Sequence, residues 1–196
     1  MRAWGKYTRR LLASLALVAA TVVGGCLAES EHPIAAADPE KNDARLWGSW
    51  ILEEEDEYLI AHVFATEDDK LRISLADHGV EGLGDVETYD VHVTRLPSGD
   101  YLNVMSSETE DGYVFIKYEF EGTDHLSVWS MENEKLVQAV KDGTLAGTTK
   151  QDGSGIDVRI TATSEQWQAF LAKAPVEFFG EPSTFRRIGP AYVEQQ

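Results

Sequence analysis

The chain has 196 residues, with 17 Lys and Arg against 34 Asp and Glu, a formal net charge of −17, and a single cysteine. That balance repels phosphate backbones and anionic head groups, so nucleic-acid binding and docking on acidic lipid surfaces are disfavoured. One cysteine leaves no partner for an intramolecular disulfide, and the fold must hold by its core alone.

Residues 1–25 open with Arg2, Lys6, Arg9 and Arg10 and continue with an uncharged run from Leu11 to Val23. Basic, then apolar, then small is the order of an export signal. The run is about thirteen residues, short of the roughly 20 that a membrane-spanning helix needs, which predicts a cleaved signal in place of a retained anchor helix. Val23-Gly24-Gly25-Cys26 resembles the lipobox of bacterial lipoproteins, in which signal peptidase II cuts before a cysteine whose sulfur carries diacylglycerol. Val23 holds the aliphatic position, Gly25 the small one and Cys26 the invariant one, while Gly24 stands where Ala or Ser is commoner. The resemblance implies lipidation of Cys26 and a place in the cell envelope. Leu27, in place of the aspartate that retains many such lipoproteins at the inner membrane, implies the periplasmic face of the outer membrane. Each buried acyl methylene contributes about 0.8 kcal/mol, so a multiply acylated cysteine needs no second membrane signal. Loss of residues 1–25 removes four positive charges and no negative ones, leaving 13 against 34 and a net charge of −21. Solubility, or a salty habitat, is the expected use of so acidic a surface.

Residues 26–44 are small, polar and punctuated by Pro33 and Pro39, which predicts a flexible tether between lipid and domain. From residue 45 to 190 the pattern is that of one domain. Short alternating runs rich in β-branched and aromatic residues predict strands at 46–52, 57–66, 71–76, 86–96, 101–107, 113–121 and 125–131. Hairpin signals separate several of them, at Glu67-Asp68-Asp69, Pro97-Ser98-Gly99-Asp100, Asp111-Gly112 and Glu121-Gly122-Thr123-Asp124, so sequential antiparallel pairing follows. In 113–121, Val114, Ile116, Tyr118 and Phe120 share one face, which reads as core, while Tyr113, Phe115, Lys117 and Glu119 share a mixed one.

Two helices interrupt the pattern. Leu136 and Val140 recur at i and i+4 within 132–142, ahead of Gly143, where a helix end commonly takes a left-handed residue. After a further strand at 156–161, Thr163 and Gln166 have capping-box spacing for a helix over 164–173 that carries Trp167, Phe170 and Leu171 on one face. A last run at 184–188 closes the sheet before a disordered tail at 191–196. The fold class is therefore mainly β: a single antiparallel up-and-down β-barrel with two short α-helices in the C-terminal third, with a two-sheet β-sandwich as the competing geometry.

Gly48-Ser49-Trp50 resembles the Gly-x-Trp that lipocalins place near the start of their barrel, where the indole covers one end of the core. Thr123-Asp124-His125 is similar to the family's second motif, Thr-Asp-Tyr, and the resemblance implies that Arg186 or Arg187 stacks near the tryptophan. The resemblance, also to lipocalin-like bacterial lipoproteins, covers topology across 45–190; the helix at 132–142 departs from the family.

No catalytic constellation has the required spacing: Gly-x-Ser-x-Gly, His-Glu-x-x-His and a phosphate-cradling glycine loop are absent from the sequence. Histidines 32, 62, 78, 92 and 125 are scattered, and His62, which alternation places with Tyr58, Ile60 and Phe64, reads as a hydrogen-bonded barrel residue in place of a metal ligand. Glu53-Glu54-Glu55-Asp56-Glu57 reads as a solvated loop and lacks the spacing of a calcium loop. No enzyme activity, metal or cofactor is expected. The candidate binding site is the mixed face of three successive strands, carrying Tyr101, Met105, Phe115 and Trp129. Pointing into a barrel, that face would make an aromatic pocket for a small lipophilic ligand; pointing outward, it would be covered by the two helices. The expected role is a lipid-anchored envelope protein that binds a small hydrophobic molecule. The alternative is an envelope assembly or inhibitor lipoprotein that offers a sheet edge or acidic face to a protein partner.

Overall fold

The computed structural model describes residues 28–54, 57–67, 70–79, 82–106, 112–151, 156–174 and 178–189. The segment expected as an export signal, Cys26, and the tail expected at 191–196 lie outside these residues. In chain order the strands are β1 (Ala28–Ser30), β2 (Gly48–Glu54), β3 (Glu57–Ala65), β4 (Leu71–Gly79), β5 (Gly82–Leu96), β6 (Gly99–Ser106), β7 (Tyr113–Glu121), β8 (His125–Ser130), β9 (Gly147–Gln151), β10 (Ile156–Ile160) and β11 (Ser183–Ile188). Helices α1 (Asn133–Lys141) and α2 (Ser164–Leu171) lie between β8 and β11.

Strands β2 to β8 pair in sequence, β11 pairs with β8 on one side and β2 on the other, and all of these pairings are antiparallel. The ring is therefore a closed eight-stranded barrel, and the β6–β7 and β11–β2 pairings rule out two separate sheets. Closure leaves little barrel edge among the described residues, chiefly residues 82–88 of β5 beyond the β6 pairing and 52–54 of β2 beyond the β11 pairing. Alternation sorts the side chains into two cores. Trp50, Leu59, Val63, Val93, Leu102, Tyr118, Leu126 and Phe185 face inward in one cluster, whereas Tyr101 and Phe115 belong to another outside the wall.

The second core is where the sequence reading and the fold part. Residues 28–44, expected as a tether, are built into the structure. β1 runs parallel to β10, meets β7 through Ser30 and Tyr113, and β9 extends this small sheet beyond β10. The chain then crosses the outside of the barrel: Ile34 N donates to Asn103 Oδ1 at 2.7 Å, and His92 Nε2 donates to the Ala35 carbonyl at 2.8 Å. Ile34 is fully buried. Two 3-10 turns, Pro39–Lys41 and Ala44–Leu46, lead into β2, so the strand expected from residue 46 begins two residues later. The polar composition of this segment misled because its contacts are single anchors without a period. Strand β9 was not foreseen either, since Gly-Thr-Thr-Lys-Gln has no apolar alternation; its register against β10 holds it. The helix at 164–171 has the expected capping box, with Gln166 N donating to Thr163 Oγ1 and Thr163 N donating to Gln166 Oε1.

Candidate functional site

One end of the barrel is filled. Trp50, fully buried, donates its indole N–H to the Leu46 carbonyl at 2.7 Å. Arg187 lies over its ring with the guanidinium carbon 4.0 Å from the centroid. The same guanidinium donates to the carbonyls of Arg45, Trp47 and Thr123 at 2.6, 2.7 and 3.0 Å, and Arg187 N donates to the Asp124 carbonyl. Of the two arginines considered at this position, Arg187 is the one on Trp50; Arg186 pairs with Glu53 on the outside. Gly48 has φ +114°, and a Cβ there would lie 3.2 Å from Arg187 Nη1, so backbone freedom and space both favour glycine. Asp43 sits beside this plug. Burial works to raise its pKa, but hydrogen bonds from the Arg45 side chain and backbone outweigh it and hold the carboxyl below its ordinary value. Burial, and then the Asp43 charge, push the Tyr118 phenol upward.

The opposite end differs. Leu52, Leu59 and Tyr89 are buried inside the wall, but Leu75, Val104, Ile116 and Val128 pack on the inner cluster while keeping part of their surface exposed. On this side the ring is incomplete among the described residues: β11 pairs Arg186–Ile188 with Ser49–Ile51 of β2 and Ser183–Arg186 with His125–Val128 of β8, and the pairing stops short of the ends of both neighbours. Inward-facing apolar side chains thus line the half of the barrel beyond the Trp50 layer. One of its polar features is Glu87, which accepts a hydrogen bond from the buried Tyr89 hydroxyl.

The expected pocket residues lie elsewhere. Tyr101, Met105, Phe115 and Trp129 share the outer face of β6, β7 and β8, and they do not line the lumen. Tyr101 and Phe115 are buried, and Phe115 meets Trp167 of α2 edge-on with ring centroids 4.8 Å apart. Burial raises the Tyr101 pKa. Met105 and Trp129 are half-buried, and Lys117 Nζ lies 5.5 Å from the Trp129 ring and 5.6 Å from that of Phe179. The second of the two geometries weighed for this face is the one observed: α1, α2 and the β1–β10–β9 sheet cover it. The lumen residues were visible in the same alternation as the core face of 113–121, with Val114, Ile116, Tyr118 and Phe120. What the alternation lacked was any sign of which inward positions stay uncovered.

His62 lies on the exposed outer face, with Nδ1 2.9 Å from Ser49 Oγ and its ring stacked on Phe64 at 5.6 Å. Among the described residues no group of three or more His, Cys, Asp or Glu side chains is placed to hold a metal ion, and no helix is long and apolar enough to cross a membrane. Compared with family models, curated proteins and solved structures, the chain gives no match.

Proposed function

We propose that this chain is an envelope lipoprotein, anchored through diacylglycerol on Cys26, whose barrel takes a small hydrophobic ligand into the open half of its lumen. The observation that carries the ligand reading is the partial exposure of inward-facing Leu75, Val104, Ile116 and Val128 in the half of the barrel away from Trp50. Apolar surface kept wet at the bottom of a rigid concavity is stabilised when a ligand displaces that water. Leu27 favours the periplasmic face of the outer membrane. The span from Cys26 to Ala28 reaches at most about 7 Å, so the anchor would hold the domain close to its leaflet.

The test is native mass spectrometry of the full chain carrying Cys26→Ser, purified without detergent. A co-purifying lipophilic molecule that Ile116→Trp removes is the expected result. An unliganded protein that also takes up no added dodecanol would sink the reading. A second reading has one observation in its favour: β9 pairs only with β10 among the described residues, and its free side could add a strand from a protein partner.

A further inference from the structure

The barrel wall parts between its first and last strands. Strand β11 pairs with β2 through Ile188 and Ser49, Arg187 and Trp50, and Arg186 and Ile51. Continuing that register would set Phe185 opposite Leu52 and Thr184 opposite Glu53, but neither pair forms. Each strand follows its other neighbour instead, β2 along β3 to Glu54 and β11 along β8 to Ser183. A notch therefore opens beyond Ile51 and Arg186, on the side away from the Trp50 layer. Buried Leu52 and Phe185 close its base on the inside, and on the outside Arg186 Nη2 reaches Glu53 Oε1 at 3.1 Å.

Two hydroxyls stand at this notch. The alternation that turns Phe185 and Arg187 inward on β11 also turns Ser183 inward, and the one that turns Leu126 and Val128 inward on β8 does the same for Ser130. Ser183 is paired with Val128 and Ser130 with Ile116, two of the half-exposed apolar residues of the lumen. Both serines are half-buried, and neither hydroxyl has a hydrogen-bond partner among the described residues. Each can donate one hydrogen bond and accept others.

We infer that the notch is a subsite for the head of a neutral acyl ester. The chain packs against Ile116, Val104 and Leu75, and the carbonyl and hydroxyl oxygens of the head bond to Ser130 and Ser183. The inference rests on the lumen being the ligand site and names the class of molecule it takes. A simple alcohol brings one oxygen to two hydroxyls. A fatty acid brings two, but the described inward-facing side chains beyond the Trp50 layer include no Lys, Arg or His, so its charge would be drawn into an apolar wall without a counter-charge.

Three probes of one chain length separate these cases: 1-monododecanoylglycerol, dodecanol and dodecanoate, each below its aggregation concentration and titrated calorimetrically at about pH 8, where a carboxylic acid is ionised, into the full chain carrying Cys26→Ser. The ester is expected to bind at one equivalent, about tenfold tighter than either of the others, from its additional hydrogen bonds. Replacing both serines, Ser130→Ala with Ser183→Ala, should bring the ester down to the affinity of dodecanol, whereas Ser183→Thr, which keeps a hydroxyl, should preserve most of the difference. An ester preference that persists in the double alanine variant would overturn the notch as the head subsite. Dodecanol or dodecanoate binding as tightly as the ester would overturn ester selection while leaving the lumen as the ligand site. Ester binding that survives Ile116→Trp would lie outside the lumen and overturn the inference too. Failure of all three probes to bind would remove the lumen reading itself.

Discussion

Trp167 of α2 donates its indole N–H to Ser30 Oγ of β1 at 2.8 Å, joining residues 137 positions apart inside the second core. Ser30 is fully enclosed, and its hydroxyl in turn donates to the His32 carbonyl. Ser30→Ala leaves a buried indole N–H without its acceptor and should cost about 1–3 kcal/mol of stability. The denaturant midpoint measures it, and an unchanged midpoint would show that the β1 segment is not bound into the cooperative unit.

Trp50 and Arg187 make the corresponding joint at the filled end. Trp50→Ala should cost about 3–5 kcal/mol, since a large side chain leaves a cavity in a closed wall. Arg187→Lys keeps the charge but cannot reach three carbonyls from one planar fork, and it should cost about 1–3 kcal/mol. A loss near zero for either variant in calorimetric unfolding would place the plug outside the stabilising core.

Neighbouring residues Phe115 and Ile116 point to opposite sides of the wall and should separate in their effects. Phe115→Ala should lower stability by about 3–5 kcal/mol while ligand uptake persists in the folded fraction. Ile116→Trp should abolish uptake at a cost of about 1–3 kcal/mol from overpacking. If the Phe115 variant folds and loses the ligand, the binding site lies under the helices and not in the lumen.

His92 supplies a pH dependence. Burial lowers its pKa from 6.5, and its bond to the Ala35 carbonyl only partly opposes the shift. The unfolded chain therefore takes up the proton first as pH falls. His92 contributes stability above about pH 6.5 that is lost on descent through its lower folded value. Amide protection at Ile34, Ala35 and Ala36, taken relative to the intrinsic exchange rate at each pH, should fall over that window in the native chain and not in His92→Asn; equal profiles would dissociate His92 from the crossing segment.

Cys26→Ser should leave the domain folded and release it from membranes. Retention in the membrane fraction after a high-salt wash would rule out the lipid anchor. An acidic domain has little electrostatic hold on anionic lipid to substitute for it.

Period-two alternation, hairpin residues at about ten-residue spacing and one capping box sufficed to place seven successive strands and two helices. Each of these is a local signal that neighbouring residues express together. That glycine and tryptophan at 48 and 50 mark a barrel end was implied by the resemblance of Gly-x-Trp and by no periodicity of the chain. Which arginine covers Trp50 was not legible, because positions 186 and 187 differ only in the face on which register puts them. The direction of the face carrying Tyr101 and Phe115 depended on whether the sheet closes. Closure comes from pairing β6 with β7 and β11 with β2, the latter a contact between the two ends of the domain. The polar segment at 28–44 lies in the fold because Ser30 and Ile34 find burial sites, and Ser30, Ile34 and Ala35 find hydrogen-bond partners on α2, β6 and β5. Such single long-range anchors have no sequence period, so only the folded chain assembles them.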